Sequence, residues 1–131
     1  MSDNELIEIA KKACENSYSP YSKFRVGAAL LCKDGSVFSG CNIENASFGA
    51  TNCAERTAFF SAVAQGKRDF LKIAVVGTSD GRFNSVTPPC GICRQVMSEF
   101  CGKDFRVILA ENDNLISLAL DELFPFPFCD F

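Results

Sequence analysis

The stretch "FRVGAALLCKDGSVFSGC", residues 24–41, decides how this chain folds. "FRVGAALLC" is an apolar run of the length and composition of a buried strand. "KDGS" then sets Asp34-Gly35 in a turn, where glycine supplies the backbone conformation that a tight hairpin needs. "VFSGC", Val37 to Cys41, is the returning strand. A hairpin here commits the chain to a sheet with an antiparallel part, and everything else has to pack around it.

Upstream, "SDNE" at Ser2–Glu5 matches a capping box, with serine and glutamate each satisfying a free amide of the other's turn. Leu6, Ile7, Ile9, Ala10, Ala13 and Cys14 follow at helical spacing and predict a helix from about residue 3 to 16. "SYSPYSK" breaks it, with Pro20 enforcing an extended turn. Downstream, the polar loop "NIENASFGAT" leads into a helix from about Cys53 to Gln65, which Gly66 stops. "LKIAVVG" is an apolar strand, "TSDGRFNSVTPP" a long loop, and a third helix runs from near Cys90 to before Gly102. "FRVILA" is another buried strand. "LISLALDELF" divides into a short strand and a short helix that Pro125 ends. Hairpin first, then alternating helices and strands: this order predicts one domain over residues 1–131, a three-layer α/β/α arrangement with a mixed sheet of about five strands.

Composition narrows the function. The chain has 131 residues, of which 47% are hydrophobic, enough for one core. No apolar run approaches the roughly 20 residues that span a bilayer. The start, "MSDNELIEIAKK", lacks a basic end and apolar block, so a cytoplasmic protein is expected. Sixteen acids oppose thirteen bases, and no basic run exists to hold a nucleic acid. A small, nearly neutral partner fits better. Eight cysteines and no histidine remain to be explained. Cys14 and Cys101 are expected on helices, Cys32 and Cys41 on strands and Cys129 in the tail, each as a small apolar side chain.

The other three carry chemistry. Cys90 and Cys93 are three apart at a helix start and can face one point. Cys53 begins the preceding helix. Unpaired N–H groups and the helix dipole favour thiolates at such ends. Soft thiolates select zinc, and three protein ligands leave a position for water, the arrangement of catalytic sites. Glu55, in the same first turn as Cys53, is placed to move protons for that water. Arg56 can hydrogen-bond the thiolates and offset their charge. Two plainer readings compete: CxxC as a redox pair, and a structural zinc site that recruits a fourth cysteine.

"CAE" at 53–55 and "PCGIC" at 89–93 resemble the signature of zinc-dependent deaminases of nucleobases. The chain is further similar to the small homotetrameric cytidine deaminases of pyrimidine salvage. "YSPYSKFRVGAAL" (18–30), "GCNIENASF" (40–48), "NCAERTA" (52–58), "PCGICRQV" (89–96) and "ELFPFPF" (122–128) carry that likeness over nearly the whole chain. The resemblance implies one Zn²⁺ per subunit on Cys53, Cys90 and Cys93, with Glu55 as the catalytic acid and base. It implies hydrolysis of cytidine and 2′-deoxycytidine to uridine, 2′-deoxyuridine and ammonia. It also implies that Asn42 and Glu44 bind the ribose hydroxyls, Phe24 lies beside the pyrimidine, the Ala54 carbonyl meets the base, and Phe128 reaches a neighbouring subunit's site. "FPFPF" is bulkier than the family's usual tail, which leaves Phe124 and Phe126 as alternatives to Phe128. Phe48 stands where the family often has tyrosine.

Overall fold

The computed structural model describes residues 1–129. Phe131, one of four phenylalanines in the last nine residues, lies outside the described residues. Helix α1 spans Asp3–Ala13, and its capping box forms as expected: the Ser2 hydroxyl accepts the Glu5 N–H at 3.1 Å, and the Glu5 carboxylate accepts the Ser2 N–H at 3.3 Å. One 3-10 turn, Cys14–Asn16, extends it. Strands β1 (Arg25–Cys32) and β2 (Val37–Cys41) form the hairpin, with Gly35 at φ 92° in its turn. Helix α2 (Ala54–Ala64), strand β3 (Phe70–Thr78), helix α3 (Gly91–Phe100), strands β4 (Arg106–Glu111) and β5 (Asn114–Ala119) and the single turn α4 (Leu120–Leu123) complete the order.

The sheet runs β2-β1-β3-β4-β5. β1 is antiparallel to both neighbours, β3 and β4 are parallel, and β5 returns antiparallel to β4. The one parallel pair needs a long crossover, and α3 with its loop supplies it. Side-chain alternation assigns the layers. Ala29, Leu31, Ala74, Val76 and Ile108 face α1, whereas Ala28, Leu30, Ile73, Val75, Val107 and Leu109 face α2 and α3. The three central strands are covered on both faces, which is why they read as unbroken apolar runs. On the α2 side, Phe59 packs edge-on to Phe70 at 5.1 Å and near-parallel to Phe100 at 6.2 Å.

Two details of the expected layout shift. Cys14 sits in the 3-10 turn, and Cys101 lies just past α3 in extended backbone, since the helix stops at Phe100. Both thiols are still small apolar fillers: burial pushes Cys14 up to about 11 and Cys101 up to about 12. Among the described residues, no helix is long and apolar enough to cross a membrane.

Candidate metal and active site

Two helices begin on cysteines. Cys53 is the N-cap of α2 and Cys90 the N-cap of α3, both in extended backbone and neither bonding its own helix through sulfur. Serine, threonine or aspartate would cap better, so these positions give up helix stability to keep a sulfur. Glycine sets how deeply α2 sits. A side-chain carbon at Gly40 on β2 would come within 2.4 Å of the Ala54 carbonyl oxygen and 2.6 Å of the Ala58 nitrogen. Only a bare Cα lets the start of α2 lie on the strand.

The sulfurs of Cys53, Cys90 and Cys93 all lie within 4.8 Å of one another. Cys53 and Cys90 are 3.8 Å apart, far beyond a disulfide, and all eight cysteines are free. Tetrahedral zinc with sulfurs at about 2.3 Å sets them about 3.8 Å from each other, so the cluster fits this ion. Among the described residues no fourth cysteine, histidine or carboxylate joins it. That removes the four-cysteine structural site, and the third sulfur removes the simple redox pair. Cys93 is fully buried and Cys90 exposed, so the cluster opens outward on the Cys90 side.

The electrostatics favour thiolate at Cys53. Cys53 is pulled down to about 5, mainly by a hydrogen bond from the Cys93 thiol and then by Arg56 and Cys90, against the opposing effect of burial. Cys93 moves up, because it is the donor in that bond and because it is buried. Arg56 Nη2 donates to Cys53 Sγ at 3.3 Å. Burial opposes its charge, but hydrogen bonds to Cys53 and Cys93 outweigh that and hold the guanidinium protonated. Its Nε is buried without a partner among the described residues. A cation committed to sulfur this way suits three thiolates better than three neutral thiols. Arg56→Gln should therefore weaken metal retention by roughly 10- to 100-fold, read by competition with a chelator. Unchanged retention would reduce Arg56 to an ordinary charge.

Glu55 is the second residue of α2 and only 4% exposed. Burial foremost, and then the neighbouring Cys53 charge, raise its carboxyl to about 7, although its own backbone amide and Arg56 oppose the shift. A carboxyl that gains and loses a proton near neutral pH has the acidity that general acid–base chemistry needs.

The remaining residues form one hydrogen-bonded web beside this centre. Ile43 exchanges both backbone bonds with Asn52, at 2.9 Å each, which fixes Asn42 and Glu44 relative to Cys53. Asn42 is buried. Its amide donates to the Phe24 carbonyl at 2.8 Å, and its carbonyl accepts from the Val26 N–H and the Ser17 hydroxyl. Glu44 accepts the Tyr21 and Ser22 N–H groups and the Ser22 hydroxyl, which hold its carboxyl below the usual range, the hydroxyl most. Ser22 in turn accepts the Phe24 N–H at 3.0 Å. The Phe24 ring lies directly on β3: a carbon added at Gly77 would come 2.6 Å from its Cζ. Tyr21, Ser22, Glu44, Phe48 and Thr51 line a cavity of about 390 Å³, with the Tyr21 and Phe48 rings edge-on at 6.0 Å.

Sequence reasoning did not find Ser17, Tyr21, Ser22, Thr51 or Gly77, whose parts depend on loops meeting in space. Ala54, whose carbonyl the resemblance sets against the base, is the first residue of α2; it is buried, and its carbonyl oxygen faces Gly40 on β2. The Phe128 carbonyl accepts from Gln95 on α3 at 2.6 Å, and the residue itself is exposed.

Residues 1–110 match the model of the cytidine and deoxycytidylate deaminase zinc-binding region. The chain belongs to this zinc-binding deaminase family. It is 52% identical over 124 residues to a cytidine deaminase of Halalkalibacterium halodurans, covering 94% of this chain and 91% of the relative. The crystal structure of cytidine deaminase from Burkholderia pseudomallei superposes with a TM-score of 0.90 at 48% identity, over 98% of this chain and 100% of that one. A blasticidin-S deaminase of Bacillus cereus is 34% identical over 130 residues, covering 96% of this chain and 91% of the relative. The α/β/α sheet and the three-cysteine centre are thus those of a deaminase of this family.

Proposed function

We propose that this enzyme hydrolyses cytidine and 2′-deoxycytidine to uridine and 2′-deoxyuridine with release of ammonia, as an intracellular step of pyrimidine salvage. The observation that carries the reading is the buried Glu55 at the same helix start as a three-sulfur cluster of zinc dimensions. Zinc, when bound by Cys53, Cys90 and Cys93, supplies the Lewis acid that makes water a nucleophile near neutral pH. Glu55 moves the protons. It takes one from the attacking water and gives one to N3 of the base, which draws electrons from C4 as the new C–O bond forms. It then carries the remaining hydroxyl proton to the C4 amine, which leaves as ammonia while the carbonyl forms. N3 keeps its proton in the uridine product. Phe24 lies beside the ring, the Ala54 backbone meets the base, and Glu44 and Asn42 hold the sugar hydroxyls with the hydrogen-bonding capacity their web leaves. Eight free thiols suit a reducing compartment.

We also read residues 1–131 as one catalytic domain that works as a homotetramer with shared sites. Phe126 is 99% exposed, at φ 56°, and Phe128 is 67% exposed. Adjacent exposed aromatics on a small chain support a covering partner. Deleting residues 124–131 should raise the Michaelis constant and spare zinc content. A truncated protein with wild-type kinetics, or an active monomer in light scattering, would leave the tail as simple packing.

The test of the function is ultraviolet loss on incubation with cytidine, 2′-deoxycytidine, deoxycytidylate and blasticidin S, with and without chelator, alongside metal analysis. Chelator-sensitive loss of the two nucleosides at about one zinc per chain is expected. Loss of blasticidin S alone would move the chain to antibiotic deamination. No zinc, with Cys90 and Cys93 joined, would sink both.

A further inference from the structure

The three consecutive residues 93–95 of α3 do three different jobs. Cys93 faces the metal cluster. Arg94 turns back and forks: its Nε donates to the Pro89 carbonyl at 2.7 Å, and its Nη1 donates to the Leu123 carbonyl at 2.5 Å. Gln95 donates to the Phe128 carbonyl at 2.6 Å. Among the described residues, no backbone donor reaches either carbonyl. Pro89 precedes α3, immediately before the ligand Cys90, and Leu123 is the last residue of α4, where carbonyls have no partner within the helix. A guanidinium can hold two carbonyls in fixed relation, as one ammonium cannot.

We propose that Arg94 and Gln95 are positioning residues that register the aromatic tail, residues 124–128, against the zinc ligands. The tail is pinned at both ends, at Leu123 and at Phe128, by the helix that carries two of the three sulfurs. The proposal rests on the reading of that tail as part of a deaminase site. Through Pro89, Arg94 also fixes the turn that presents Cys90.

The test is a cycle in the full-length zinc enzyme and in the chain lacking residues 124–131. Gln95→Met keeps side-chain length, Arg94→Met keeps the apolar stem, and both remove the donors. In the full chain, Arg94→Met should raise the Michaelis constant for cytidine roughly 10- to 100-fold, the scale of a small misplacement, with kcat little changed. Gln95→Met should show a smaller rise in the same direction, and Arg94→Lys should be intermediate. In the truncated chain these rises should vanish, while faster zinc loss to a chelator persists in Arg94→Met alone. A role in general stability would instead lower the melting temperature and leave the Michaelis constant unmoved. If Arg94→Met does not fold, Gln95→Met carries the test by itself. Unchanged Michaelis constants at full zinc content, or equal rises in both backgrounds, would overturn the proposal. A wild type inactive on cytidine would fail the functional reading instead, and zinc loss in Arg94→Met would still report on the Pro89 contact.

Discussion

Glu55→Gln should keep its zinc and its fold and lose deamination by about 10²- to 10⁴-fold or more. Glutamine matches the shape of glutamate and keeps a hydrogen-bonding head, but it cannot accept and return protons. The substituted group serves every proton transfer of the reaction, so the upper end of the range applies. A variant with more than about a tenth of wild-type turnover would remove Glu55 from the chemistry. The same substitution has a second signature that involves no substrate. In the metal-free protein the folded carboxyl lies near 7 against an ordinary value of 4.5, so the folded state holds its proton more tightly than the unfolded state does. Below pH 4.5 both states are protonated and nothing is lost. As pH rises from 4.5 through 7, the unfolded carboxyl ionises while the buried one still holds its proton, so stability falls, by about 3 kcal/mol in full. Glutamine does not titrate. Metal-free Glu55→Gln should therefore be more stable than metal-free wild type above pH 7, with the difference closing below pH 4.5. Urea denaturation across that range measures it, and a pH-independent difference would mean that Glu55 is not buried as a carboxyl.

Local signals account for what the sequence showed of this fold. The capping box, the Asp34-Gly35 turn and the Gly66 stop each join residues no more than four apart, and each forms as expected. The metal cluster was legible for a related reason. "CAE" and "PCGIC" are local patterns at two helix starts, and the topology had only to bring those starts together. What escaped was side-chain chemistry across long separations. Asn42 reads as an exposed loop amide, yet it is buried with its groups committed to Ser17, Phe24 and Val26. Ser22 looks like turn polarity, but it joins Glu44 to Phe24, 22 residues from the carboxylate it bonds. Arg94 reads as a helix-surface charge, and its second carbonyl is 29 residues away. Such partners follow from tertiary packing, not from spacing. The packing of Gly40 against the Ala54 carbonyl is of the same kind: it joins β2 to the start of α2 and leaves no mark in the spacing.

Cys93→Ala should leave the protein without zinc and without measurable deamination, a larger loss than Glu55→Gln, because the nucleophile is no longer generated. Two thiolates remain, and Zn²⁺ held by two sulfurs forfeits the closure that three helix-borne ligands provide. Stability separates the metal's contribution from packing. In wild type, zinc binds the folded chain, and binding at about 1,000 times the dissociation constant adds about 4 kcal/mol, so a chelator should lower the melting temperature. In Cys93→Ala the chelator should change nothing. Cys93 is also fully buried in the core against α2 and the sheet. Its removal should cost a further sum on the order of 1 kcal/mol even without metal, from the lost transfer of a sulfur and the small void left. Cys90 offers the internal comparison. It is exposed, so Cys90→Ala should lose zinc and activity equally while the metal-free protein stays near wild-type stability. The metal-free Cys93→Ala protein should show one more change. The Cys93 thiol is the first cause of the low Cys53 value near 5, so Cys53 should titrate higher, as thiolate absorbance would record. Full zinc occupancy and turnover in Cys93→Ala would mean that the ion, if bound, is held by other residues. Chelator sensitivity surviving in that variant would point to the same conclusion.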